Sequence, residues 1–279
     1  MLGLSRREII LGALGKLRDV VRQVGDVDTM PVLQRVSIPV RGLDRRLDGM
    51  RIAQLSDVHI GMVLPLEYLR GVVALLERDP PEMLTVTGDL LDDPTLSRGC
   101  FDIMSRVRAP HGHYYVLGNH ENFRERERIV EVARRHPHFK VLINESLPVR
   151  VQGALVNVSG VDFPVGQRAS APRDEQNAAF VAQALLHCED ADFRLCLAHH
   201  PDDFDEIRRR GVELTLSGHT HGGQIAPVGP WVSHRLFKYV RGLYRETDSH
   251  LYVSTGTGHT LPVRVGVPTE VTVLTLHRV

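Results

Sequence analysis

LSGHTHGGQ (residues 216–224) closes a short apolar run, VELTLS (212–217), on two histidines, His219 and His221. Gly218, Gly222 and Gly223 flank them. A core strand has little use for two imidazoles and three glycines in nine positions. Imidazole is the commonest metal ligand among side chains. Residues i and i+2 of an extended chain point the same way, so both rings can face one centre. The glycines permit tight turns and close backbone approach.

The pattern recurs upstream. RIAQLS (51–56) reads as a strand and runs into Asp57-Val58-His59. MLTVT (83–87) runs into Gly88-Asp89, HYYVL (113–117) into Gly118-Asn119-His120, and FRLCLA (193–198) into His199-His200. ALVNVSGV (154–161) is a further strand. Between these lie stretches with helical spacing: 64–79, 96–107, 124–136, 173–187 and 202–210. LYVST and TEVTVLTLH in the final third read as antiparallel strands joined by Gly- and Pro-rich turns. Alternating strands and helices predict an α/β sheet. In such sheets, sites form outside the carboxyl ends of the strands. Five strand ends would deliver Asp57, His59, Asp89, Asn119, His199, His219 and His221 into one crevice, where they can form a metal cage. A lone Asp-x-His is usually capping chemistry, and a lone TGD is a common turn. The order and placement of all five argue for a site.

Composition narrows the function classes. The chain of 279 residues carries 34 basic and 34 acidic side chains, so net charge offers no argument for a nucleic-acid partner. No protein partner is predicted either. Hydrophobic residues make up 42%, enough for a sizeable core. The 15 histidines make a metal site worth seeking. Three scattered cysteines without a CxxC pair read as reduced, partly buried thiols.

No run of 18 apolar residues predicts a membrane-spanning helix. The N-terminus, MLGLSRREIILGALGKLRDVVRQVGD, places Ile10, Leu14, Leu17, Val21 and Val24 on one helical stripe. Five cations there (Arg6, Arg7, Lys16, Arg18, Arg22) face two anions (Glu8, Asp19), giving +3 over the first 24 residues. Residues 5–24 can lie on an anionic membrane or pack on the main domain. SRREIIL also resembles a twin-arginine export signal, but Lys16 shortens the apolar run and no cleavage site is evident. The expected division is a basic amphipathic helix over 1–30 and one domain over 31–279. The expected location is cytoplasmic, or peripheral on the inner face of the cell membrane.

The series SDVHIG (56–61), TGDLLDD (87–93), LGNHE (117–121), LAHHPD (197–202) and SGHTHGGQ (217–224) resembles the calcineurin-like metallophosphoesterase superfamily, over roughly residues 50–277. GHTHGGQIAP, RGLY (241–244) and VSTGTG…LPVRVGVPTEV (253–271) are similar to a bacterial branch. That branch holds phosphodiesterases and UDP-diacylglucosamine pyrophosphatase-like enzymes.

The resemblance implies a four-layer αββα sandwich holding two divalent metal ions. By motif position, Asp57, His59 and His221 hold the first. Asn119, His199 and His219 hold the second, and Asp89 bridges both. The family's His-x-Pro spacing selects His199 over His200, since Pro201 follows. Mixed nitrogen and oxygen ligation suits Mn, Fe, Zn or Co. A metal-bridging hydroxide would attack a phosphodiester or pyrophosphate bond of a small-molecule or lipid substrate. His120 would protonate the leaving oxygen or stabilise phosphoryl charge, oriented by Asp92. Phosphoprotein phosphatases carry arginines after these motifs. Here Asp93-Pro94 and Asn122-Phe123 stand instead. The competing class is a scaffold that keeps the fold without turnover.

WVSHRLFKYVRGLYR (231–245) joins aromatic and basic residues. It reads as a β-hairpin with a solvated basic face, or as a lip that grips substrate. His259, in the Gly-rich TGTGHT (255–260), is a further residue to follow.

Overall fold

The computed structural model describes residues 30–164, 175–186, 188, 190–225, 228–260 and 264–279. The predicted N-terminal helix lies outside them. The described chain forms two six-stranded sheets.

The first sheet holds β1 (Val32–Val40), β2 (Arg51–Leu55), β3 (Met83–Thr87), β4 (His113–Val116), β5 (Phe139–Val141) and β12 (Glu270–Arg278), in the order β1-β12-β2-β3-β4-β5. The second holds β6 (Glu145–Val151), β7 (Ala154–Val161), β8 (Phe193–Ala198), β9 (Leu214–Ser217), β10 (Gly242–Glu246) and β11 (Ser249–Val253), in the order β10-β11-β9-β8-β7-β6. Strands β2 to β5 are parallel, and so are β7, β8, β9 and β11. Central strands such as β3 and β9 are buried at every position, as expected of parallel strands covered on both faces.

Helices cover the outer faces. On the first sheet lie α1 (Leu66–Arg78), α2 (Ser97–Met104) and α4 (Arg126–Arg135), with the short α3 (Asn119–Phe123) just before α4. Leu69, Val72, Val73 and Leu76 make the buried stripe of α1, packed with Phe101 and Ile129 against Leu55, Leu84 and Val86. Asp79 ends α1 because Pro80 and Pro81 follow, and a residue before proline avoids the helical region. On the second sheet, α5 (Glu175–Ala184) and α6 (Phe204–Arg209) bring Val181, Ala184 and Ile207 onto Val161, Cys196 and Ala198. Between the sheets, Ile52, Tyr114, Val116 and Leu274 meet Val156, Leu195 and Leu214. Each fully buried Leu or Val there contributes about 1.5–3 kcal/mol. The result is the expected αββα layering. Cys100, Cys188 and Cys196 are buried free thiols. No helix among the described residues is long and apolar enough to cross a membrane.

The last third departs from expectation in two ways. β10 and β11 form an antiparallel pair and β12 lies antiparallel to β2, but β11 and β12 each also have a parallel neighbour. β11 runs parallel to β9, and β12 to β1. The start of the stretch 231–245 is not a hairpin arm but belongs to a helix, α7 (Val228–Leu236), followed by a turn and β10. Three strands were not anticipated: β1, β5 and β6. β1 and β6 are edge strands carrying Pro39 and Pro148, which weaken a strand signal and are tolerated at sheet edges. β5 has three residues, too few for periodicity.

Candidate metal centre

The predicted ligands follow the carboxyl ends of β2, β3, β4, β8 and β9. The chain leaves three of these strands through left-handed backbone. Asp57 (φ 51°), His59 (55°), Asp89 (51°), His219 (72°) and His221 (50°) account for five of the nine non-glycine residues at positive φ among those described. Such positions cost roughly 1–3 kcal/mol each and persist only where their surroundings over-determine them. Strain therefore gathers at the predicted ligands. Two glycines let the loops converge. A β-carbon on Gly218 would overlap Ser56 Oγ and Asp57 Oδ2, and one on Gly118 would overlap Asp89 Oδ1.

All seven predicted ligands meet in two adjoining groups. Asp57, His59 and His221 make the first, and Asp89, His199 and His219, with Asn119 against His199, the second. In the first, His59 Nε2 lies 3.2 Å from His221 Nε2, which lies 3.4 Å from Asp57 Oδ1. In the second, His199 Nε2 lies 3.2 Å from Asp89 Oδ2, from Asn119 Oδ1 and from His219 Nδ1. Asp89 Oδ2 also stands 3.8 Å from His59 Nε2, so one carboxylate faces both groups. Ligand atoms about 2.0–2.2 Å from a common ion are separated by about 2.8–3.6 Å along tetrahedral or octahedral edges. The contacts within each group fall inside that range.

The hydrogen bonds explain why a cation fits. His199 Nδ1 sits 2.7 Å from the Thr87 carbonyl and donates to it. In the neutral ring Nε2 then presents a lone pair to Asp89 and Asn119 oxygens, which are themselves acceptors. Without a cation, a proton must fill that role. Burial opposes a charged ring at His199, but Asp89 outweighs it and pushes the imidazole up to about 10. His221 lies well below the ordinary imidazole range, through burial and then the proximity of His59 and Arg264. It is therefore neutral, as a ligand must be. Burial pushes Asp57 up, while Asp89 is held low because His199 outweighs its burial.

A third group joins His120, Asp92 and His59. Asp92 Oδ1 lies 2.6 Å from His120 Nδ1, and Asp92 Oδ2 lies 3.3 Å from His59 Nδ1. Asp92 thus bonds the His120 ring and stands beside that of His59. Burial works against charge on His120, but Asp92 and Asp89 overcome it and raise the ring to about 9. The His120 backbone N–H also donates to Asp89 Oδ1 at 2.8 Å.

Several contributors escaped the sequence reading. Glu121 is fully buried, and its carboxylate accepts three backbone N–H groups, from Gly118, Asp89 and Leu90, at 2.7–2.9 Å. It fixes the turn that presents Asp89. The signal was available, because Glu at the third position of a helix commonly reaches back to the amides before it. Arg264 inserts beneath the first group, with Nη2 2.7 Å from the Gly258 carbonyl and 2.9 Å from His221 Nδ1. Ligation through His221 Nε2 requires a proton on Nδ1. Arg264 must then rely on the Gly258 and His221 carbonyls. Thr260 Oγ1 lies 2.7 Å from His221 Nε2. His200 stays outside both groups, with Nδ1 accepting from the Asp202 N–H at 3.2 Å. His259 is buried nearby, in the turn between Gly258 and Thr260.

The aromatic residues of 231–245 divide. Tyr239 packs with Phe204, Leu251 and Val253, and Tyr244 contacts Tyr239 ring to ring at 4.9 Å. Phe237 lies 5.3 Å from the His219 ring and 5.4 Å from that of His200. Trp231 remains exposed.

Carboxylates and imidazoles gathered at the mouth of a two-sheet sandwich place the chain in the class of metal-binding α/β proteins. More narrowly, the chain belongs to the calcineurin-like phosphoesterase family, whose pattern matches residues 50–223. A Caenorhabditis elegans protein named as a metallophosphoesterase, F40B5.2, is 30% identical over 83% of this chain and 49% of its own length. The chain therefore spans about half of that relative. The phosphodiesterase YaeI of Escherichia coli is 28% identical over 81% of this chain and 82% of its own. Among solved structures, the Thermus thermophilus protein TT1561 shares the fold, with a TM-score of 0.51 at 16% identity, over 75% of this chain and 90% of that one.

Proposed function

We propose that the protein is a dimetal-dependent hydrolase of phosphodiester or pyrophosphate bonds. The observation that carries this reading is Asp89, whose Oδ2 faces His199 at 3.2 Å and His59 at 3.8 Å. Asp57, His59 and His221 hold one divalent ion, and Asn119, His199 and His219 the other, with Asp89 shared. Mn, Fe, Zn and Co all suit these donors. Two such cations, when bound, neutralise the phosphoryl oxygens and supply hydroxide at neutral pH. Asn119 adds a neutral oxygen and so keeps the pocket from repelling an anionic substrate. His120, its Nδ1 tied to Asp92, keeps Nε2–H to donate to the leaving oxygen.

The finer reading is a lipid-linked substrate, with peripheral contact at the inner face of the membrane through residues 5–24. It is supported by the basic amphipathic pattern of that segment.

The test is metal analysis of the purified protein, followed by manganese-supported hydrolysis of a bis-aryl phosphate. Asp89→Ala should lower both metal content and rate, the latter by at least roughly 10³-fold. A scaffold would show no hydrolysis in either form, and that result would end the enzymatic reading.

A further inference from the structure

We propose that α7 and the loops beside it form a membrane-docking rim, which seats the mouth of the metal centre against an anionic bilayer. This surface is built from residues other than 5–24, and it stands whether or not the centre turns over substrate.

The first observation is where the apolar surface lies. Ten large apolar side chains are exposed among the described residues, and six of them belong to segments bordering the site: Phe123, Ile225, Trp231, Val232, Leu236 and Val265. The Phe123 ring lies 6.5 Å from that of His120. Ile225 follows the His221 turn and pairs with Val265, the neighbour of Arg264. α7 packs on the 221–223 turn. Isolated apolar residues on a surface mean nothing, whereas several around one opening mark a contact surface.

The second observation is composition. Trp231, Val232 and Leu236 are all more than two-fifths exposed, on a helix of nine residues. The Arg235 guanidinium lies 3.8 Å from the centre of the Trp231 ring, joining a cation to an aromatic plate. Trp with Arg is the pairing favoured at the depth of lipid headgroups.

The third observation is charge. Residues 219–245 contain Arg235, Lys238, Arg241 and Arg245 and no Asp or Glu, in a chain with 34 charges of each sign. Lys238 is engaged by Asp205 at 2.7 Å, and Arg245 pairs with His250 toward the far end of β11, which leaves Arg235 and Arg241 for a partner at the rim. A protein surface of mixed sign would call for carboxylates in return. A sheet of anionic headgroups does not.

Trp231 is the single tryptophan of the chain, so its emission reports on this rim alone. The full chain is titrated with vesicles of phosphatidylcholine, and of phosphatidylcholine mixed with phosphatidylglycerol. The expected result is a blue shift, and quenching by brominated lipid, with the anionic vesicles only. Val232→Ser with Leu236→Ser should weaken that binding by about tenfold or more, since lost apolar area lowers interfacial affinity. Arg235→Glu should remove the preference for anionic lipid. Both variants alter exposed positions and should keep the parent's hydrolysis of a soluble bis-aryl phosphate. Absence of hydrolysis in the parent with docking intact would sink the enzymatic reading alone. Co-sedimentation without a Trp231 shift would mean that residues 5–24 bind alone, and would overturn the docking rim. So would a blue shift that appears without vesicles as protein concentration rises, because a second copy would then cover the rim.

Discussion

At one end of β4, His120 joins a cluster of imidazoles backed by carboxylates, while at the other end His113 joins two histidines among phenyl rings. The His113 ring lies 5.9 Å from that of His138 and 5.1 Å from that of Phe139. His136 lies 5.7 Å from His138 and 5.5 Å from Phe139. Here His113 Nε2 meets the Val107 carbonyl at 2.9 Å, and Asp102, largely exposed, stands 3.3 Å from His136 Nε2. Burial pushes His113 down to about 4, whereas Asp89 and Asp92 overcome burial and raise His199 and His120. The difference shows that histidine enrichment does not by itself mark a metal site. What marks one is anionic oxygen behind each ring and backbone held in costly conformations to aim it.

The sharpest way to break this contrast is to remove one ring from each end. His120→Ala should lower kcat on the bis-aryl phosphate by roughly 10²–10⁴-fold while leaving bound metal in place. His136→Ala, on the aromatic side, should leave kcat unchanged. Similar losses in both would mean that the two clusters do not differ in function.

A second probe acts one layer out. Glu121→Gln replaces one of two acceptor oxygens with an amide donor, which must face either the Leu90 N–H or the Gly118 and Asp89 N–H groups. Metal affinity, read by titration calorimetry, should fall by about 10–100-fold. An unchanged affinity would mean that the Asp89 turn holds its shape without Glu121.

Much of this was legible in the sequence, for a physical reason. Each predicted ligand follows a buried parallel strand, and such strands announce themselves as continuous apolar runs. The step from apolar run to Asp or His was therefore visible, and the seven side chains proposed as ligands lie close together. Asp92, argued only from the resemblance, lies within reach of His120. What stayed hidden depends on tertiary pairing. β1 and β6 are half-exposed edges with a proline each, so neither shows clear alternation. α7 carries Gly229 and Pro230 and a short apolar pattern that fits a hairpin equally well. Arg264 lies some 40 residues beyond the last histidine motif, and only folding brings it under His221.

The smallest expected effect lies at the aromatic end and concerns stability. His113 is held at about 4 when folded and reverts to about 6.5 when unfolded. Its neutral ring therefore favours the native state above pH 6.5. Below that, the unfolded chain takes up a proton that the folded ring refuses, and the advantage is lost as pH falls toward 4. The loss should amount to at most about 3 kcal/mol. His113→Gln keeps a donor for the Val107 carbonyl and removes the titration. Urea unfolding at neutral pH and near the folded value should then show a smaller acid destabilisation in the variant than in the parent. Equal acid sensitivity would shift the acid response to the carboxylate-backed end, where protons compete with metal for the same nitrogens.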